Sequence, residues 1–292
     1  MLSIDPKEVS VGKLHGYLLG AVSPRPICFA STVDHEGNVN LSPYSFFNVF
    51  SANPPVMVFS PARRVRDNTT KHTFENVLET KEVVINIVSY AMVQQMSLSS
   101  TEYDKGVNEF EKAGFTEVPS VLVKAPRVKE APVQFECKVL DVVGLGSEGG
   151  AGNLVICEVL KVHIDETILD AEQKIDPFKI DTVARMGGNW YTRAKEGIFE
   201  VEKPLRTLGI GVDQLPKHVR LSKTLTGNDL GILANVEALP NDTEITTFAN
   251  EASEPYQYLL ASGSEEEIHA QAQALLLEGK VQEAWCLLLS KK

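Results

Sequence analysis

"PVQFECKVLDVVGLGSEGGAGNLVICEVLKVHI", residues 132–164, decides how this chain folds. Residues 132–143 and 153–164 are long runs rich in β-branched side chains with partial period-two alternation, the pattern of half-buried strands. Between them "GLGSEG" (144–149) matches G-x-G-x-x-G, the glycine pattern of dinucleotide-binding turns. That motif requires a helix after the glycines, because the helix N-terminus holds the pyrophosphate. Here the glycines lead instead into "GAGNLVICEVLKV", a second strand. Gly144, Gly146, Gly149, Gly150 and Gly152 therefore read as a flexible hairpin loop, and the two runs as an antiparallel pair.

The rest of the first 195 residues is of the same kind. "PICFASTV" (26–33), "VMVFS" (56–60) and "VVINIV" (83–88) are short apolar runs bounded by turn residues. Three helical pieces interrupt them: "TTKHTFENVLETK", "YAMVQQMSLSS" and "NEFEKAG". Strands outnumber helices and do not alternate with them, which disfavours a parallel βαβ sheet and predicts a mainly β, antiparallel barrel with a few helices. From about residue 196 the texture changes. Gly209, Gly211, Pro216, Gly227, Gly231 and Pro240 break up short segments, and "SEEEIHAQAQALLLEGKVQEAWCLLLS" (264–290) reads as two amphipathic helices around Gly279. Residues 1–195 carry 20 basic and 24 acidic side chains, whereas 196–292 carry 8 and 15. The expectation is a barrel domain over 1–195 and an acidic, mostly helical C-terminal extension over 196–292.

With 292 residues, 43% of them hydrophobic, the chain can bury a full core. A net charge of −11 disfavours nucleic acid or an anionic membrane as partner. The apolar run "LHGYLLGAV" (14–22) is too short to span a bilayer and has no basic segment before it, so no signal peptide is expected and the location is read as cytoplasmic. Cys28, Cys137, Cys157 and Cys286 are widely spaced without a Cys-x-x-Cys, and read as buried reduced thiols.

Two segments hold candidate chemistry. "PARRVRDNTTKHT" (61–73) sets Arg63, Arg64, Arg66 and Lys71 against the single Asp67 in an otherwise acidic chain. Thr69, Thr70 and Thr73 sit at or near the start of the following helix. Helix N-terminal amides, hydroxyls and cations together make a phosphate site; a solvated basic loop with an ordinary threonine cap is the plainer alternative. "ARMGGNWYTR" (184–193) offers two glycines for close backbone approach, with Trp190 and Tyr191 beside Arg185 and Arg193. Its alternative is a turn followed by two core or interface aromatics. The histidines (His15, His35, His72, His163, His218, His269) form no metal-ligand pair and are mostly read as surface residues, with His72 alone able to face a ligand. No nucleophile is matched to a base, so an enzyme built on this chain would borrow its reactive centre from a cofactor.

"SPRPICFASTVDHEGNVNLSPYSFFNVFSANPPVMVFSP" (23–61) resembles the opening of the flavin reductase-like, FMN-binding split-barrel family. "RDNTTKHTFENVLETKEVVINIV" (66–88) is similar to that family's Arg-Asp…Lys-Asp-Thr block, with His72 in place of the usual Asp, and "VARMGGNWY" (183–191) to its Arg-Leu-Gly-Gly…Tyr close. The order and spacing agree over roughly residues 15–193.

The resemblance implies a Greek-key split β-barrel that works as a homodimer with FMN bound noncovalently. Carried over by position, Arg66, Lys71 and Thr73 would hold the phosphate. Ser42, Tyr44, Ser45, Phe46 and Asn48 would line the isoalloxazine and ribityl chain, Ser60 would close the pocket floor, and Arg185, Gly188 and Tyr191 would approach from near the interface. Pro43 is expected to keep this backbone from pairing as an ordinary strand, with Phe47 and Phe50 packing the barrel. The implied activity is flavin oxidoreduction with NADH or NADPH as donor and a small molecule or protein as acceptor. An FMN-bearing electron carrier without NAD(P)H activity is the alternative.

Overall fold

In a computed structural model, which describes residues 1–290, the unit Met1–Phe199 is built on antiparallel strands. They are β1 (Cys28–Val33), β2 (Val39–Tyr44), β3 (Phe47–Ala52), β4 (Pro55–Phe59), β5 (Glu82–Ile87), the short pair β6 (Glu117–Val118) and β7 (Arg127–Val128), β8 (Val133–Gly144), β9 (Asn153–Ile164), and the pair β10 (Val183–Arg185) and β11 (Tyr191–Arg193). Seven of them form one sheet in the order β2-β1-β5-β8-β9-β4-β3. The order dictates closure. Laid flat, six spacings of about 4.8 Å would hold β2 and β3 roughly 29 Å apart. Only Ser45 and Phe46 separate Tyr44 from Phe47, a reach of at most about 11 Å. The sheet therefore curls into a barrel, left split because no ladder joins β2 to β3 among the described residues. The step from β4, beside β9, to β5, beside β1, is the long crossing expected of a Greek key.

The decisive stretch is the hairpin β8–β9, paired from Val133↔Ile164 to Gly144↔Asn153. Its glycine-rich loop is not the flexible connection expected. It lies against residues 60–65, with Gly150 N–H donating to Arg63 O at 3.0 Å and Arg63 N–H to Ala151 O at 2.8 Å. A Cβ on Gly152 would stand 2.7 Å from Ser60 Oγ, so glycine is required by close approach.

Two further expectations are corrected. Pro43 lies within β2, opposite Phe29 of β1. It pairs as a strand residue because β2 is an edge strand, where a missing N–H can face away from the sheet. Phe50 does not pack the barrel; it is 68% exposed. A register shift between Val49 and Ser51 leaves Phe50 out of the β3–β4 ladder, and that bulge on the opposite edge turns it outward. Phe47 does pack, against a cluster with Cys28, Tyr44, Phe59, Ile85, Cys137 and Cys157.

The helices of this unit are α1 (Val11–Ala21), α2 (His72–Thr80), α3 (Val93–Leu98) and α4 (Glu109–Ala113). The last three match the helical pieces expected. A second cluster joins Phe29 and Leu41 of the sheet to Met92, Met96, Phe110 and Phe115, so β1 is buried on both faces. The helix α1 went unpredicted, because Gly12, Gly16 and Gly20 obscure its periodicity, and none of its residues is buried.

From Glu200 onward the second unit is helical: α5 (Lys217–Arg220), α6 (Gly227–Ala234), α7 (Asp242–Glu251), α8 (Glu254–Ser262), α9 (Glu265–Leu277) and α10 (Val281–Leu289). Trp285 is fully buried among Leu215, Val219, Leu233, Ile268 and Leu275, its indole N–H donating to Leu233 O at 3.0 Å. Gly279, at φ 74°, makes the turn between the two helices expected there. All four cysteines are free and buried. Two histidines depart from the surface role expected: His269 is buried against Ser222 Oγ at 2.7 Å, and His163 meets the buried Glu136 carboxylate at 2.7 Å. Among the described residues no helix is long and apolar enough to cross a membrane.

Candidate functional site

One cleft opens between β2, the start of α2 and the segment after α3. Asn40, Ser42, Tyr44, Arg64, Lys71, His72, Thr73, Glu102 and Glu109 are among its lining residues. The N-cap of α2 is Lys71, whose side chain makes no capping bond, so first-turn amides keep no side-chain partner at the helix's positive end. Lys71 is half-buried, and burial first, then the charge of Arg64, lowers its pKa. A cation held that way is stabilised by an anion brought beside it. Arg64 points the same way, its side chain only 16% exposed. Its guanidinium is fixed by Thr69 Oγ1 at 2.9 Å and by the Thr70 carbonyl.

The floor is made of hydroxyls. Thr73 is fully buried, and its Oγ1 accepts from Asn40 Nδ2 at 2.7 Å, leaving the hydroxyl proton to donate elsewhere. Tyr44 sets its ring against Phe59, with centroids 5.4 Å apart, while its hydroxyl is buried with no hydrogen-bond partner. Burial pushes the Tyr44 pKa up to about 12; the Thr73 and Ser42 hydroxyls stand near enough to offset part of that rise without meeting hydrogen-bond geometry. An unsatisfied buried hydroxyl costs about 1–3 kcal/mol, and an oxygen brought into the cleft by a ligand could complete this one. Cations, helix amides and hydroxyl donors gathered in this way could hold one small anion.

The other residues anticipated from the sequence lie elsewhere. Arg66 turns outward, 74% exposed, and binds Asp67 and Glu102 at 3.0 Å. Ser45 and Arg185 meet Arg25 instead, and Gly188 is tied in turn to Arg185. The buried Arg25 donates to Ser45 Oγ at 3.4 Å, Val22 O at 2.6 Å and Met186 O at 2.9 Å, tying the C-terminal end of α1 and the β2–β3 corner to the glycine hairpin. Arg185 lies over the Tyr191 ring at 4.6 Å and donates to Gly188 O at 2.8 Å. Phe46 is 41% exposed, edge-on to His15 at 6.2 Å. Asn48 is exposed, its side-chain Oδ1 accepting from Val49 N–H. Ser60 is buried beneath the glycine loop and accepts from Asn153 N–H at 3.1 Å.

Sequence reasoning missed Asn40, Glu102 and Arg25, and it placed Arg64 in the basic segment but carried Arg66 over as the phosphate ligand in its stead. Arg25 stood in the quoted Pro-Arg-Pro block, and its isolation between prolines was the available signal. Nothing local distinguishes Arg64 from Arg66; their opposite directions result from the pairing of residues 63 and 151.

The split barrel is the part of this architecture that comparison with known proteins tests. The flavin reductase like domain family matches residues 20–178. An uncharacterised protein of Aquifex aeolicus is 42% identical over 188 residues, which are 64% of this chain and 93% of that protein. Nitrilotriacetate monooxygenase component B of Bacillus cereus superposes with a TM-score of 0.65 at 30% identity, covering 69% of this chain and 98% of that one. A Shewanella frigidimarina structure described as a flavin reductase with split barrel domain gives a TM-score of 0.59 at 28% identity over 70% and 99%. The chain belongs to the flavin reductase-like domain family, a flavin-related oxidoreductase family with the split-barrel fold.

Proposed function

We propose that this protein is an FMN-dependent oxidoreductase whose electrons come from NADH or NADPH. The observation that carries the reading is the buried, unpartnered Tyr44 hydroxyl in the cleft formed by Lys71, Arg64 and the uncapped start of α2. These residues fit the phosphate of FMN. Lys71 and Arg64 would supply charge, the α2 amides and Thr73 hydroxyl would donate to its oxygens, and Tyr44 would complete the floor. When bound, FMN supplies a ring that accepts hydride at N5 and releases electrons to a small-molecule or protein acceptor. The chain's part is orientation, so no side-chain nucleophile or base is required of it.

The second element of the reading is a homodimer. Phe46, Val49 and Phe50 at the exposed β2–β3 edge, together with α1, leave apolar side chains in solvent. An apolar patch of this kind marks an interface. Three glycines cost α1 about 1 kcal/mol each relative to alanine, so a covering surface is needed to hold it as a helix. The partner proposed is a second copy of the chain, and sedimentation of the full chain as a monomer would remove this element.

The test of the activity is the visible spectrum of the full chain with added FMN, recorded anaerobically before and after NADH and NADPH. The reading expects flavin absorbance in the protein fraction and rapid bleaching by one of the two nucleotides. Absence of FMN binding would overturn the reading. Binding without bleaching by either nucleotide would favour an electron carrier reduced by a protein donor.

A further inference from the structure

The anion cleft already contains an anion of its own. Glu102 sits at its mouth with Oε1 accepting from Arg64 Nε at 3.0 Å and Oε2 accepting from Arg66 at 3.0 Å, while Lys71 Nζ stands 3.9 Å from Oε1. One carboxylate thus faces all three cations nearest the site. The same network, with the Arg64 hydrogen bond foremost, holds the Glu102 pKa below the ordinary carboxylate range. Glu102 comes from the segment after α3, not from the basic loop that it neutralises, and its side chain is 42% exposed. Arg66 has a second carboxylate, Asp67, within its own loop. Arg64 has Glu102 alone among the described ion pairs.

A phosphate entering against Arg64 and Lys71 meets this carboxylate. Two anions cannot share Arg64 without mutual repulsion. Either the carboxylate leaves or the phosphate binds less tightly. The buried Tyr44 hydroxyl beneath makes no hydrogen bond to Glu102.

We propose that Glu102 is an internal counter-ion of the flavin phosphate site, displaced from Arg64 when the phosphate binds, and that its effect is to make FMN an exchangeable ligand instead of a permanently held group. This rests on the FMN reading given above. Glu102 is a specificity-determining residue in this scheme: its cost falls on phosphorylated flavin and not on riboflavin, which brings no charge to the cleft. Exposed ion pairs are individually weak, so the size of the effect is set by loss of the Arg64 contact and of the longer Lys71 contact beside it, and is about five- to tenfold in affinity.

The test compares E102Q with the wild-type full chain by fluorescence titration with FMN, with riboflavin, and with FMN in competition with inorganic phosphate. Glutamine keeps size and hydrogen-bonding capacity while removing the charge. The proposal expects FMN to bind E102Q about five- to tenfold tighter and dissociate more slowly, inorganic phosphate to compete with a lower inhibition constant, and riboflavin affinity to stay unmoved. FMN affinity unchanged or weakened would overturn it, showing Glu102 to be a mere organiser of Arg64. Equal tightening of FMN and riboflavin would also overturn it, because the effect would then bypass the phosphate. Should wild-type protein bind no FMN, the functional reading itself fails, an outcome visible before the variant is made.

Discussion

Asn40 donates its side-chain amide to Thr73 Oγ1 across 2.7 Å, and both residues are buried. This bond joins the edge strand β2 to the first turn of α2, bringing together two sequence blocks that lie 33 positions apart. Because Thr73 accepts here, its own proton is directed to another partner. Thr73→Val leaves the Asn40 amide unsatisfied at nearly constant volume. The expected cost is about 1–3 kcal/mol of unfolding free energy in urea, and FMN affinity should fall about tenfold, with Thr73→Ser retaining both.

Tyr44→Phe separates binding from stability by sign. It removes a buried hydroxyl without a partner, so the ligand-free protein should gain up to about 1 kcal/mol in a urea melt. FMN affinity should move the other way and weaken several-fold. A loss of stability in the ligand-free variant would show that the hydroxyl is satisfied within the protein.

Gly152 tests the account of the glycine loop. An alanine Cβ would fall 2.7 Å from Ser60 Oγ, and Gly152→Ala should cost about 1–3 kcal/mol by crowding a close-packed contact. In a Ser60→Ala background most of that cost should vanish. A double-mutant cycle measures the coupling; additive effects would mean that the clash lies elsewhere.

Glu136 gives a pH dependence. Burial disfavours its charge, but the Val121 and Leu122 amides and His163 outweigh burial and hold its pKa below the ordinary carboxylate range. A folded-state pKa lowered in this way contributes stability that is present above the unfolded value of about 4.3 and is lost as pH falls through the folded value. Melting temperature should therefore fall as pH drops from about 5 toward 3, and Glu136→Gln should melt lower at neutral pH with a shallower acid slope. Circular dichroism melts across that range check both signs.

The hairpin 132–164 was legible because strand alternation and a glycine run are local signals, and the absence of a helix after the glycines excluded the dinucleotide motif. A barrel was expected from the excess of strands over helices and from the family resemblance, but which strands close it was not legible in that way. Closure arises from β2 and β3 lying at opposite edges of the sheet with only Ser45 and Phe46 between them, which is topology. The same cause misplaced Pro43, harmless on an edge, and Phe50, turned out by a bulge. The basic start of α2 was readable as an anion site, but Arg64 and Arg66 alternate along one loop and only its contact with residues 150–151 decides which turns inward. Glu102 could not be found from the sequence, since its role arises from a segment some thirty positions beyond the cations it meets. In the helical unit, the capping boxes Thr226–Asp229, Asn241–Glu244 and Ser264–Glu267 are local signals of helix starts, each a capping side chain with an acidic residue three positions on.

The central claim is that the cleft at α2 holds the phosphate of FMN. Its most direct test is the affinity of the wild-type full chain for FMN against riboflavin, repeated in Lys71→Met. The account predicts that FMN binds about thirtyfold or more tighter than riboflavin and that the gap shrinks sharply in Lys71→Met while riboflavin affinity holds. Riboflavin binding as tightly as FMN, or no binding of FMN, would contradict it.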